Sequence, residues 1–288
     1  MSADDRIDRS PERAPVFSWD APEVFLRLKI EEQRAALESL DSDKLEMWLC
    51  LLDEDPRKGR RDLAQRLRRQ REREQLAQER WRALSDFDSK MAAGDILAGV
   101  DEVGRGPLAG PVTAAAVILP QNFHAPGLDD SKRLSSDARE FWSTRIRAEA
   151  TAWAVADLPA GEVDRLGIRE AVFRVMRSAV DLLDVRPARV IVDGRDIPPG
   201  LVNARAVVRG DSRSLSVAAA SVVAKVHRDA LMCAADLDHP VYGFAGHKGY
   251  GSPEHLKVLR NMGPCPLHRR SFLGRILNTR EEEAGEPR

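Results

Sequence analysis

The sequence has few cysteines, few aromatic residues and no long apolar run. Its 288 residues include three cysteines, whose wide separation fits neither a CxxC pair nor a zinc-finger spacing, so reduced thiols are expected. No window approaches the roughly 18 apolar residues of a membrane span. The opening residues, MSADDRIDRSPER, lack the basic-then-apolar order of a signal peptide. These absences predict a cytoplasmic protein that does not enter a membrane.

The sequence also lacks an excess of charge of either sign. It holds 45 lysines and arginines against 46 aspartates and glutamates, for a formal net charge of -1. Global charge therefore neither supports nor excludes a nucleic-acid substrate, and any such affinity must come from local basic patches. The length suffices for one well-cored domain of roughly 180 to 200 residues and a smaller appendage.

Residues 1–95 are charged, poor in glycine and apolar at helical spacing. Two short amphipathic helices are indicated, and the stretch from Arg60 to Leu84 predicts one long arginine-rich helix. The basic face of this helix is either a solvated surface, since arginine and glutamate at helical spacing neutralise each other, or a nucleic-acid contact. We predict that residues 1–95 form a charged, helical N-terminal extension.

From residue 96 the pattern changes to glycine-punctuated apolar runs of strand length, interspersed with segments of helical periodicity. This alternation predicts an α/β fold, with a mixed sheet and helices packed on it, over residues 96–275. Residues 276–288 are expected to be a disordered acidic tail. The predicted strands are ILAGVDEV, PVTAAAVIL, TAWAVADL, ARVIV and ARAVV, and the predicted helices are 163–183, 215–237 and 253–261.

Acidic residues stand at the ends of three predicted strands. Asp101 and Glu102 end the first, Asp193 ends another, and Asp211 follows a third. Carboxylates gathered at one sheet edge repel each other unless cations neutralise them, and a cage without cysteine or histidine favours Mg²⁺ or Mn²⁺ over Zn²⁺. A single aspartate at a strand end is more often a turn former, because its side chain bonds nearby backbone amides. Both interpretations stay open at this point.

A glycine-rich turn, Gly104-Arg105-Gly106, directly follows the first acidic pair. Its glycines permit positive φ and let a sugar hydroxyl or phosphate lie against backbone amides. The alternative is a tight hairpin turn with no ligand.

Two further segments combine cations with small residues. On the alanine-rich helix, Lys225 belongs to a polar stripe that either faces the acids, near a phosphate, or faces solvent. Lys248 and Tyr250 lie in the glycine-flanked loop HKGYG, a combination able to hold a phosphate and stack on a sugar or base, or simply to pack the loop.

Taken together, several short motifs resemble ribonuclease HII, the bacterial type 2 ribonuclease H. They are DEVGRGPLAGPV, DDSKRLS, VIVDG, RGD, AAASVVAKVHRD, HKGYGSPEH and PLHRRSF, in this order. The resemblance covers about residues 96–275. It implies a ribonuclease H-like fold, a mixed five-stranded sheet flanked by helices and followed by a helical C-terminal segment.

The resemblance also implies roles for individual residues. The metal-binding, catalytic carboxylates are expected to be Asp101, Glu102, Asp193 and Asp211. The turn Gly104-Arg105-Gly106 is expected to read the ribose 2′-hydroxyl at the cleavage point, Tyr250 to stack on the sugar that follows, and Lys132 to lie near phosphate.

The implied activity is endonucleolytic hydrolysis of the RNA strand of RNA/DNA hybrids and cleavage 5′ of single ribonucleotides in duplex DNA. This activity serves ribonucleotide excision repair and primer removal, and uses two metal ions to leave 3′-hydroxyl and 5′-phosphate ends. The glycine-isoleucine-glycine variation of the sister ribonuclease HIII group is absent. A monomer is expected. The alternatives are a junction resolvase of the same fold and a non-catalytic protein that binds nucleic acid through its arginine-rich helix.

Overall fold

The structure, a computed structural model, describes residues 22–274, which fall into two compact units with the boundary between Gln75 and Leu76. The predicted helical character of the N-terminal region is confirmed. The domain boundary placed at residue 95 stays a prediction, and the predicted tail 276–288 lies outside the described residues. The first unit holds α1 (Pro22–Phe25), α2 (Ile30–Glu38), α3 (Ser42–Asp53) and the first part of α4 (Lys58–Ala92).

The first unit has a small apolar core of its own. Asp41 begins α3 by accepting a hydrogen bond from the Lys44 amide, which satisfies one of the free donors at the helix start. The rings of Phe25 and Trp48 then meet with centroids 4.7 Å apart. Buried leucines from three helices complete this core: Leu37, Leu49, Leu52 and Leu63.

Helix α4 is longer than predicted and ends at Ala92, not Leu84. Its last part belongs to the second unit, where Leu84 is buried in the apolar core. The Trp81 Nε1 donates to the Phe123 carbonyl at 3.1 Å. The helix stops where Ala93 and Gly94 adopt positive φ.

The second unit is built on a mixed five-stranded sheet, as predicted. Its strands are β1 (Leu97–Val103), β2 (Val112–Ile118), β3 (Ala152–Leu158), β4 (Arg189–Asp193) and β5 (Ala204–Val207). They lie in the order β3-β2-β1-β4-β5. Strand β1 pairs antiparallel with β2 and parallel with β4, so β1 and β4 end at the same edge.

Helices cover both faces of the sheet. These helices are α5 (Ser136–Glu149), α6 (Ala160–Leu166), α7 (Ile168–Asp181) and α8 (Leu215–Asp238), followed by the C-terminal α9 (Phe244–His247) and α10 (Pro253–Met262). Side chains from α6 and α7 pack on one face, and side chains from α5, α8 and the end of α4 pack on the other. Within residues 22–274, no helix is both long and apolar enough to cross a membrane.

Two features of the helices differ from prediction. The single helix predicted over 163–183 is two helices, because Gly167 takes φ +76 and interrupts the helical backbone between α6 and α7. Helix α5 was not predicted; it begins where the Ser135 side chain accepts a hydrogen bond from the Ala138 amide.

Candidate functional site

Three acidic side chains converge at the edge where β1 and β4 end. Carboxylate oxygens of Asp101, Asp193 and Asp211 all lie within 4.8 Å of one another. Asp101 lies in β1, Asp193 is the last residue of β4, and Asp211 lies in a 3₁₀ turn after β5. The parallel pairing of β1 with β4 and of β4 with β5 therefore brings together acids that are far apart in the sequence.

Hydrogen bonds hold these acids in place. Asp193 Oδ1 accepts from the Gly210 amide at 2.6 Å, which ties the end of β4 to the turn that carries Asp211. Asp101 is hydrogen-bonded to Ser221 of α8, whose hydroxyl lies 2.8 Å from that of Ser131. The serines link the acids to both α8 and the DDSK segment.

The acids raise one another's proton affinity. Burial raises the pKa of Asp101 well above its ordinary value, and the negative charges of Glu102 and Asp193 add to this effect. The pKa of Asp193 is raised mainly by burial and further by Asp211, although the Gly210 hydrogen bond opposes the shift. Lys132 opposes the shift at Asp193 without reversing it, so the protein's own cations offset only part of the negative charge gathered here.

Glu102 lies beside this group. Its Oε1 is 3.2 Å from Arg105 Nη1, while its Oε2 is buried and has no hydrogen-bond partner among the described residues. Burial raises the pKa of Glu102 even though the Arg105 charge opposes that shift. A buried, unpartnered carboxylate oxygen is unfavourable unless a cation reaches it.

The donor set suits a hard divalent cation. Within residues 22–274, this group of three carboxylates contains neither a cysteine nor a histidine. Oxygen-only ligation is typical of Mg²⁺ and Mn²⁺ sites, whereas zinc sites usually include sulfur or imidazole nitrogen. The raised pKa values of the acids and the unpartnered Glu102 oxygen also favour a bound cation.

Lys132 places a cation beside Asp211. Its Nζ lies 3.4 Å from Asp211 Oδ2 and 3.8 Å from Asp130 Oδ1, yet its side chain is 79% exposed. Burial lowers the pKa of Lys132, but the charges of Asp130 and Asp211 outweigh this effect and raise it. The ammonium group is therefore charged and open to an incoming anion.

Arg80 of α4 connects the DDSK segment, which contains Lys132, to the turn that carries Asp211. Its Nη2 donates to Asp129 Oδ1 at 3.1 Å and to the Ser212 carbonyl at 2.7 Å. Asp129 precedes the DSK residues, and Ser212 follows Asp211. The sequence motifs gave no sign of this contribution from the long helix.

In the turn Gly104-Arg105-Gly106, the carbonyls of the first two residues point toward the protein interior. Gly104 has φ +89, and the Gly104 and Arg105 carbonyls accept hydrogen bonds from Arg269 at 2.6 and 3.0 Å. Among residues 22–274, no acceptor bonds the backbone N–H of Arg105 or Gly106. Two adjacent amides are therefore available to a ligand oxygen.

The other predicted substrate contacts differ in their surroundings. Tyr250 is 42% exposed, and its carbonyl accepts from His255 Nδ1 at 2.8 Å. Lys248 takes φ +53, and its ammonium group donates a hydrogen bond to the Ala245 carbonyl. Lys225 pairs with Asp229 at 2.8 Å. The two lysines therefore already have partners within the protein, while the Tyr250 ring is partly open.

Two important arginines were missed at the level of sequence. Arg228 belongs to the polar stripe of α8 and Arg269 to the PLHRRSF motif, yet both side chains are completely buried. The alanines and valines around Arg228 were the available signal, because a cation among small apolar residues is a candidate for burial with internal partners.

Comparisons with known proteins agree with the motifs. A family model for ribonuclease HII matches residues 98–274, and one for the ribonuclease HII N-terminal domain matches residues 29–92. The ribonuclease HII of Myxococcus xanthus is 42% identical over 259 residues, covering 89% of this chain and 88% of that protein. The ribonuclease HII of Geobacillus thermodenitrificans is 44% identical over 245 residues, covering 84% and 94%.

The fold has a counterpart among solved structures. The crystal structure of ribonuclease H2 from Pyrococcus horikoshii OT3 matches with a TM-score of 0.56 and 23% identity, covering 66% of this chain and 99% of that chain. The mixed sheet with its flanking helices is thus a ribonuclease H-like fold.

Proposed function

Since this chain belongs to the ribonuclease HII family and is a nuclease, we propose that it cuts 5′ of single ribonucleotides embedded in duplex DNA. We extend the proposal to the RNA strand of RNA/DNA hybrids, and so to ribonucleotide excision repair and primer removal. The observation that carries it is the position of the Arg105 and Gly106 amides. They are free of acceptors among the described residues and adjoin the acid cluster through the Glu102–Arg105 contact.

We assign metal binding to the four carboxylates, with Mg²⁺ or Mn²⁺ as the ion. This family depends on divalent metal, and the oxygen-only donor set supports an alkaline-earth ion or manganese. When bound, divalent cations supply the positive charge that activates water and stabilises the departing 3′-oxygen. The residues are Asp101, Glu102, Asp193 and Asp211.

The protein's own groups then orient the nucleic acid. The Arg105 and Gly106 amides would donate hydrogen bonds to the oxygen of the ribose 2′-hydroxyl, and Tyr250 would stack on the following sugar. Lys132 would bind a phosphate beside the acids, because its charged head is already held there. Lys225 and Lys248 would contact the nucleic-acid backbone only after exchanging their present partners.

Water as the nucleophile implies 3′-hydroxyl and 5′-phosphate products, since the 2′-hydroxyl serves for recognition and not for attack. We propose that the protein acts as a monomer on cellular nucleic acid in the cytoplasm and needs no membrane.

A cleavage assay tests this proposal. A 5′-labelled DNA duplex with one ribonucleotide is compared with the same duplex carrying deoxyribose at that position, each with and without Mg²⁺. We expect one metal-dependent cut on the 5′ side of the ribonucleotide and none in the all-DNA duplex. A gel shift without cleavage of either the embedded duplex or a continuous hybrid would instead support a binding protein, and cleavage of both DNA duplexes would support a nuclease that does not require the 2′-hydroxyl.

A further inference from the structure

Two arginines lie fully buried in the second unit. Arg228 of α8 and Arg269 are each 0% exposed. Among the described residues, both guanidiniums hydrogen-bond to backbone carbonyls and not to carboxylates. Burial lowers the pKa of Arg269 to about 10, with the Arg228 charge contributing. Burial of an unpaired cation is strongly unfavourable unless other groups satisfy its donors.

Arg269 is satisfied by one stretch of backbone. It donates to the Gly104 carbonyl at 2.6 Å, to the Arg105 carbonyl at 3.0 Å, and to the Gly110 carbonyl at 2.9 and 3.0 Å. These acceptors all lie in residues 104–111, which we name the ribose loop. Because its carbonyls turn toward Arg269, the Arg105 and Gly106 amides stay free of internal acceptors among the described residues.

Arg228 joins the ribose loop to a second segment. It donates to the Ala109 and Pro111 carbonyls at 3.1 and 2.9 Å, and to the Lys248 carbonyl at 3.0 Å. Its guanidinium also lies 5.9 Å from the centre of the Tyr250 ring. Lys248 and Tyr250 lie in residues 247–251, which we name the tyrosine loop.

Backbone contacts complete the connection between the two loops. The Leu108 amide donates to the Gly249 carbonyl at 2.8 Å, and the Arg269 amide donates to the Leu108 carbonyl at 2.8 Å. A side chain at Gly104 would collide with Arg228, and one at Gly249 would collide with the Ala109 carbonyl. Glycine at these two positions therefore lets the neighbouring groups approach the backbone closely, and it also adopts the positive φ found at both.

We propose that Arg228 and Arg269 are positioning residues that lock the ribose loop and the tyrosine loop into one rigid unit. The fixed spacing lets the enzyme require a 2′-hydroxyl on one sugar and a deoxyribose on the next. The assignment of those two sugars rests on the proposed function, whereas the coupling of the loops does not. Lysine cannot replace either arginine, because one ammonium cannot span several carbonyls as the planar five-donor guanidinium does.

Native-state hydrogen exchange on the full-length wild-type protein tests the coupling without any substitution. Amide exchange of Leu108, Gly110 and Tyr250 is followed through a series of low denaturant concentrations. Groups that open together share one opening free energy and one denaturant dependence. We expect the three amides to follow a single curve. A Tyr250 amide that opens separately, at lower free energy, overturns the proposal.

A substitution then tests the consequence for specificity. Among the described residues, the Arg269 side chain makes its hydrogen bonds only to the ribose loop, so locked loops predict that Arg269→Lys also speeds exchange at Tyr250. They also predict a fall of about tenfold in the ratio of cleavage rates on a single embedded ribonucleotide and on a continuous hybrid. The exposed Arg270→Lys is the matched control and should change neither quantity.

The outcomes separate the coupling from the proposed function. Faster exchange confined to residues 104–111, or an equal loss of rate on both substrates, assigns the arginine a structural role only and overturns the proposal. If Arg269→Lys does not fold, the wild-type exchange curves decide alone. If the enzyme does not cut at single ribonucleotides, the proposed function fails, while the exchange curves still report whether the loops are locked.

Discussion

The acid cluster and the pair of buried arginines solve opposite problems of buried charge. In the cluster, burial and mutual repulsion raise the pKa values of Asp101 and Asp193, and a Glu102 oxygen has no partner among the described residues. At Arg228 and Arg269, backbone carbonyls satisfy the donors. Lys132 and Arg105 offset the charge of the first region only in part, so it needs further cations from outside, whereas the second region is complete in itself. Removal of one charge should consequently have different effects in the two regions.

The largest effect is expected from Asp193→Asn. The asparagine side-chain oxygen can still accept the hydrogen bond from the Gly210 N–H, so the side chain keeps its shape and contact while a ligand charge is lost. We expect turnover to fall by about a thousandfold or more, with folding and substrate binding nearly unchanged. Single-turnover cleavage measures the loss, and the exposed Asp196→Asn is the matched control. Retention of more than about a tenth of the activity, a loss below roughly 1.4 kcal/mol, would remove Asp193 from the site.

The packing around the ribose loop should be sensitive to acid through His268, which is buried and forms a β-bridge with Ala109. Burial, followed by the nearby His255, lowers the pKa of His268 to about 4. A histidine that is neutral when folded contributes stability above its unfolded pKa near 6.5, and that stability is lost as pH falls toward 4. We expect a loss of about 3 kcal/mol across this window.

Urea unfolding at a series of pH values checks the prediction for His268. The variant His268→Gln removes the titrating group, so its free energy of unfolding should fall less steeply between pH 6.5 and 4 than that of the wild type. Equal slopes for the two proteins would show that His268 does not resist protonation.

Tyr250→Ala should change substrate preference more than it changes the chemical step. The ring is predicted to stack on the deoxyribose that follows the ribonucleotide, a sugar absent from the interior of a continuous RNA strand. We expect the ratio of cleavage rates on the embedded ribonucleotide and on the hybrid to fall about tenfold. Tyr250→Phe keeps the ring and should keep the ratio. An unchanged ratio in the alanine variant would place junction preference elsewhere.

The smallest effect is expected on the stability of the metal-free protein. The pKa of Asp101 is raised in the folded state, so its ionised form destabilises that state at neutral pH. Asp101→Asn should therefore raise the free energy of unfolding in EDTA by about 1 kcal/mol, and Mg²⁺ should stabilise the wild type more than the variant. Denaturant unfolding with and without Mg²⁺ measures both effects. A less stable variant in EDTA would contradict the repulsion described for the cluster.

The sequence predicted what depends on local pattern and motif. Apolar runs indicated the five strands, and acids at strand ends indicated which residues converge. The pairing of β1 with β4 was needed to show that Asp101 and Asp193 lie together, because strand order is a tertiary property. The mixed sheet was confirmed, while the role of each site residue stays a prediction.

Other features escaped sequence reasoning for physical reasons. Helix α5 carries many charged residues, so its apolar face at Trp142 and Ile146 is a weak periodic signal. Residues on both sides of Gly167 continue one helical pattern, so composition alone could not show the break. Arg228 is polar by type and buried by position, and its carbonyl partners lie more than a hundred residues earlier in the chain and in the tyrosine loop.

The most direct test of the account is a crystal structure of the Asp193→Asn protein bound to a DNA duplex that contains one ribonucleotide. We predict that the 2′-hydroxyl oxygen lies about 2.7 to 3.2 Å from the Arg105 or Gly106 amide nitrogen. The Tyr250 ring should lie against the next sugar, and the scissile phosphate should face the carboxylates. A 2′-hydroxyl bound elsewhere, with the ribose loop and the tyrosine loop both clear of the ribonucleotide step, would contradict the account.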